Sequence, residues 1–184
     1  MDNSNRIDCI AIIEKYYTKN TPLYNLLIAH SKSVAELAVE IVASHPELGA
    51  DASFVYEAAM LHDIGIFLTN APKIFCVGDK PYILHSILGA EILRVEGLEK
   101  HALVCERHTG AGISAIEIKN QNLPLPNKDF IPISIEEKIV AYADKFFSKS
   151  SPNKRKSIAE ARDSLQRFGD EILTRFDEWS KLFA

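Results

Sequence analysis

The stretch Ala58-Ala59-Met60-Leu61-His62-Asp63-Ile64-Gly65 sets an imidazole and a carboxylate side by side at the end of an otherwise apolar helical turn. A carboxylate taken out of water without a cation or strong donors is costly. Any fold of this chain must therefore carry the His62-Asp63 turn inside and bring compensating groups to it from elsewhere. Candidates stand on both sides: His30 upstream, and His85, His108 and Asp144 downstream. At 184 residues and 47% hydrophobic, the chain is long enough to bury such a site in a real core.

Helical spacing recurs along the whole sequence, without the alternating Val/Ile/Thr runs of a sheet, and the fold expected is all-α. A first helix is expected from about Asn5 to Thr18. Thr21-Pro22 then supplies a cap and a first-turn proline for a second helix running to about Ser44. On that helix His30, Val34, Leu37 and Ile41 form one stripe, so His30 points inward. Asp51 or Ser53 caps a third helix that delivers His62 and Asp63 at its C-terminal end. A loop from Phe67 to Pro81 is placed to border a pocket. The fourth helix, about Tyr82 to Val95, carries His85 on the face of Leu88, Gly89 and Ile92, and a fifth, about Leu98 to His108, ends on His108. After a proline-rich connector from Asn120 to Pro132, Ser134-Ile135-Glu136-Glu137 matches a capping box. The helix it starts shows Asp144 beside Val140 and Phe147. Two helical stretches within residues 157–183 are expected to pack on the rest.

Four histidines and two aspartates thus reach inward from five helices, enough nitrogen and oxygen donors for one or two metal ions. Neutral imidazole with carboxylate suits Fe, Mn, Co, Ni or Zn. His45, in a turn before Pro46, and His101, off the inward stripe, read as surface residues. Cys9, Cys76 and Cys105 form no CxxC pair and read as buried thiols in a reducing compartment.

His30, His62-Asp63-Ile64-Gly65, His85-Ser86-Ile87-Leu88-Gly89-Ala90-Glu91, Glu106-Arg107-His108-Thr109-Gly110 and Asp144-Lys145 together resemble the signature of HD-domain metal-dependent phosphohydrolases, HDIG subgroup. The likeness runs over about residues 26–147. It implies a single compact HD-domain bundle over residues 1–184 with a metal site at its centre. It also implies a first metal held by His30, His62, Asp63 and Asp144 and a second completed by His85 and His108, with Asp63 bridging. His62 and Asp63 would be catalytic. The activity implied is hydrolysis of a phosphate ester or anhydride of a small molecule, most readily a nucleotide, by a metal-activated water. Arg107, Lys145 and Arg155 are the basic residues expected to meet the phosphate. Two other classes share the donor set: a di-iron oxygenase of the superfamily, and a non-catalytic module that binds a nucleotide through its metal.

The formal net charge of -4 is spread over both halves without a basic stripe, so no nucleic-acid partner is expected. No apolar run reaches the ~20 residues of a membrane span, and no leader pattern opens the chain. A monomeric or homodimeric cytoplasmic protein with a small phosphorylated substrate is the reading that these features support.

Overall fold

The computed structural model describes residues 7–184. Within them the chain is a helical bundle whose β content is one two-residue hairpin. The helices are α1 (Cys9–Tyr16), α2 (Pro22–Ser44), α3 (Ala52–Leu61), α4 (His85–Val95), α5 (Glu99–Arg107), α6 (Ala115–Asn120), α7 (Ile135–Asp144), α8 (Ile158–Asp163) and α9 (Asp170–Phe183). The expected start of the first helix at Asn5 lies outside the described residues. Among those described, the helix begins at Cys9, because the Asp8 side chain accepts from the Ala11 backbone N–H and caps it there.

Caps set most of the other boundaries. Thr21 accepts from the backbone N–H of Tyr24, with Pro22 in the first turn, and Asp51 accepts from those of Ser53 and Phe54. Ser134 accepts from the backbone N–H of Glu137, but the Glu137 carboxylate takes the Ile133 N–H and the Arg107 guanidinium instead of closing the box expected there. The complete capping boxes belong to α6, on Ser114 and Glu117, and α8, on Ser157 and Glu160. The short α6 has no counterpart among the sequence expectations, since six residues hold too little periodicity to show.

The layers follow from the buried stripes. α2 lies against α3 and α7, α4 pairs with α5, and α7 crosses α2, α3 and α5. The turn after α3 is seated by close backbone packing. A Cβ on Gly65 would stand 2.3 Å from the His85 carbonyl oxygen, and one on Gly89 would stand 2.6 Å from Cys105 Sγ. The Tyr17 hydroxyl donates to the Ile64 carbonyl at 2.7 Å, tying the end of α1 to the same turn. The Phe67–Pro81 segment is a hairpin, β1 (Asn70–Ala71) against β2 (Cys76–Val77), with 3-10 turns around it.

α9 docks on α7 through Tyr142, Phe146, Phe176 and Phe183, with ring centroids 4.9 to 5.4 Å from Tyr142. One polar contact fixes its register. Arg175 donates to the Ala111 and Gly112 carbonyls at 2.8 Å each and to the Glu117 carboxylate at 2.9 Å. It therefore braces the loop that follows His108. Cys9, Cys76 and Cys105 are buried, as expected.

Candidate metal centre

The six donors meet where α2, α3, α4, α5 and α7 converge. His30 comes from the middle of α2, His62 and Asp63 from the turn that ends α3, His85 from the start of α4, His108 from the end of α5 and Asp144 from the last residue of α7. All are buried, with Asp63 fully so. Their ligand atoms fall into two groups, each with every member within 4.8 Å of the others: His30, His62, Asp63 and Asp144, and Asp63, His85 and His108. That spacing suits donors about 2.1 Å from one ion.

Three of the imidazoles are oriented in the same way. His62, His85 and His108 place Nδ1 at 2.6, 2.7 and 2.7 Å from the carbonyl oxygens of Ala59, Tyr82 and Cys105, each three residues earlier. A carbonyl can only accept, so each Nδ1 carries a proton and each Nε2 is aimed at the cluster. The Ala59 and Cys105 carbonyls lie in the last turns of α3 and α5, where backbone acceptors lack helical partners.

These nitrogens converge on one another and on a single carboxylate. His85 Nε2 and His108 Nε2 face each other at 3.2 Å, and Asp63 Oδ1 lies 3.4 Å from the first and 3.5 Å from the second. Asp63 Oδ2 lies 3.2 Å from His30 Nε2 and 3.3 Å from His62 Nε2. His62 Nε2 and both Asp63 oxygens are buried without a hydrogen-bond partner. Nitrogen lone pairs aimed at one another and at a carboxylate repel unless a cation stands among them. The donor set fits a divalent metal at either group.

Two ammonium groups reach the same carboxylates. Lys145 Nζ is 2.6 Å from Asp144 Oδ2, and Lys149 Nζ is 2.7 Å from Asp63 Oδ2, close enough for an ion pair although not aligned as a hydrogen bond. Burial alone would raise both aspartates, but the facing lysines and imidazoles hold them well below the usual carboxylate range. For His62 burial works against the charged form, and Asp63 and Asp144 outweigh it, leaving this group raised to about 9. For His85 burial prevails and it falls to about 3. The two groups therefore differ: one imidazole of the first holds a proton at neutral pH, while His85 in the second does not.

The centre forms the floor of a pocket of about 640 Å³. His85, His108 and Asp144 open into it, Tyr82, Phe147 and Phe168 give it apolar walls, and Lys73, Lys145, Lys149, Lys156 and Arg167 line it with positive charge. The Tyr82 ring stacks on the His85 imidazole at 4.7 Å. Of the basic residues expected to meet a phosphate, Lys145 lines this pocket. Arg107 is instead held by Glu137 at 3.0 Å, and Arg155 by Glu40 at 3.3 Å on the outer surface. Lys149 was not anticipated, because it sits in an irregular turn after α7 where no periodicity predicts direction.

His101 corrects a second expectation. It is buried, with Nε2 3.3 Å from the equally buried Glu57 carboxylate, whose other oxygen accepts from the Ile7 backbone N–H. Its partner stands on α3, so the spacing of α5 alone could not reveal it. Among the described residues no helix is long and apolar enough to cross a membrane.

The family described as HD domain matches residues 27–148. Two relatives bear the name tRNA (cytidine(56)-2'-O)-methyltransferase. The one from Thermoplasma volcanium is 35% identical over 164 residues, 89% of this chain and 41% of the relative. That from Picrophilus torridus is 40% identical over 125 residues, 67% of this chain and 32% of the relative. An uncharacterized protein of Methanocaldococcus jannaschii is 41% identical over 121 residues, 64% of each chain. No solved structure matches. The chain thus spans less than half the length of the named methyltransferases.

These names overturn the expectation of a hydrolase of small phosphorylated molecules without a nucleic-acid partner, since they belong to transferases that act on RNA. The physical reason is that the His/Asp signature specifies how a metal can be held, not what is brought to it. The net charge likewise averages away the lysines gathered at the pocket.

Proposed function

The chain belongs to the HD-domain family, and from that membership we propose that it serves tRNA 2'-O-methylation as the part that holds the RNA, gripping a backbone phosphate at a divalent-metal centre. The observation that carries this reading is the lysine-lined pocket whose floor is a buried cluster of unsatisfied His and Asp donors. His30, His62, Asp63 and Asp144 would hold one ion, and Asp63, His85 and His108 a second, with Asp63 shared. Fe, Mn, Co, Ni and Zn suit the donor set. A bound ion supplies positive charge to a phosphate oxygen. Lys145, Lys149, Lys156 and Arg167 add sequence-independent attraction for the backbone, while Tyr82 and Phe168 offer ring faces to an unstacked base. Methyl transfer itself, in this reading, belongs to the length of the relatives that this chain does not span. The terminal helices α8 and α9 work with the rest as one unit.

Binding of a fluorescent tRNA transcript, followed by anisotropy with Mn²⁺ and then with EDTA, tests the reading. The expected result is salt-sensitive binding that weakens on the order of tenfold when the metal is removed. No tRNA binding, or binding indifferent to EDTA, would sink it.

The proton on His62 gives a separate expectation. A protonated imidazole cannot ligate, and this one is raised to about 9 in the metal-free protein. Metal binding must expel that proton, so affinity should climb about tenfold per pH unit from about pH 6 to 8 and level off above the His62 value. Mn²⁺ titrations in buffers of different ionisation enthalpy would report the released proton directly. An affinity flat across that range would contradict a ligand role for His62.

A further inference from the structure

Lys145 and Lys149 do two things at once. Each is paired with one carboxylate of the centre, Lys145 with Asp144 and Lys149 with Asp63, and each also lines the pocket above it. Their side chains are only 11% and 15% exposed, so their charges are set among the donors and not on a solvated rim. Asp63 Oδ2, which Lys149 faces at 2.7 Å, is the same oxygen that His30 and His62 approach at 3.2 and 3.3 Å. An ammonium and a metal ion therefore compete for one atom. An ion at this group removes the reason for Lys149 to stay on Asp63, and the side chain already lines the pocket, where a largely desolvated ammonium needs an anion.

We propose that Lys149, seconded by Lys145, is an exchangeable counter-ion: it neutralises the carboxylates of the empty centre and is released to a phosphate group when metal binds. Metal and phosphate then reinforce one another, because each frees the lysine for the other, and the coupling is reciprocal by thermodynamic necessity. The centre would load poorly without an anionic ligand and tightly with one. This inference rests on the metal-centre reading above and adds to it a residue and a rule of loading.

The test is Mn²⁺ binding by titration calorimetry, without and with inorganic phosphate, in the wild-type protein and in Lys149→Met, Lys149→Gln and Lys73→Met. Lys73 lines the same pocket from the hairpin side, outside both ion pairs. Removing the competitor should tighten Mn²⁺ binding on the order of tenfold in both Lys149 variants when phosphate is absent. Phosphate should tighten Mn²⁺ in the wild-type protein and in Lys73→Met by a similar factor and leave the Lys149 variants unchanged. Circular dichroism identifies whichever Lys149 variant is folded. If the folded variant binds Mn²⁺ no better than wild type, or keeps the phosphate effect, the exchange is overturned and the metal centre stands. A wild-type protein that binds no Mn²⁺ with or without phosphate overturns the metal reading and the exchange with it.

Discussion

Replacing Asp63 with asparagine is expected to empty both metal positions. Its two oxygens face different histidine pairs, Oδ2 toward His30 and His62 and Oδ1 toward His85 and His108, so one substitution removes the carboxylate charge from both groups of donors. The amide that replaces it is neutral, and its NH₂ group presents hydrogens where a lone pair is needed. Affinity should fall by about 100-fold or more at each position, beyond the loss typical of an outer partner. The Lys149–Asp63 pair, whose carboxylate is fully buried, would also be broken, leaving an uncompensated ammonium, so the metal-free variant should melt lower than the metal-free wild type. His85→Ala is the contrast. It touches only the second group, and about one equivalent of metal should remain. Elemental analysis after gel filtration, with Mn²⁺ titration, separates the cases. Wild-type stoichiometry in Asp63→Asn would show that the bridge has been misassigned.

Gly65→Ala should be the most destabilising change of a single methyl group near the centre. The new Cβ would stand 2.3 Å from the His85 carbonyl oxygen, 2.4 Å from the Gly89 amide nitrogen and 2.8 Å from its Cα. These are backbone atoms of α4, which cannot rotate aside as a side chain would. Either α4 moves away from the His62-Asp63 turn or the turn leaves its seat. In both cases His85 separates from Asp63. A cost of about 3 kcal/mol or more is expected, which for a chain of this size lowers the melting temperature by about 10 °C. The second metal should be lost before the first. A melting temperature within a degree or two of wild type, with metal content unchanged, would refute the tight seating.

What the sequence could disclose was whatever regular helices present. His30, His85 and Asp144 lie on apolar stripes with clear caps, and a stripe fixes direction, so their convergence was legible residue by residue. His62-Asp63 announced itself by chemistry, as a charge where no charge belongs. Lys149 was hidden because an irregular turn aims it, and Arg107 misled because its partner Glu137 stands on another helix. His101 was missed for the same reason, its partner Glu57 being 44 residues away. The likeness to proteins named for action on tRNA was beyond reach altogether, since a chain of net charge -4 gives no overall sign of the positive pocket it assembles.

The brace made by Arg175 separates two boundaries that are easily taken for one. The segment recognised as HD domain ends at residue 148 and contains every imidazole and carboxylate of the centre. The guanidinium that grips Ala111, Gly112 and Glu117 just behind His108 comes from the last helix, far outside that segment. A fragment trimmed to the recognisable part would retain every donor and lose the strut behind one of them. The last helix thus supports the centre from outside, holding the backbone behind His108 through Arg175 and packing on α7, which carries Asp144, without offering a donor of its own.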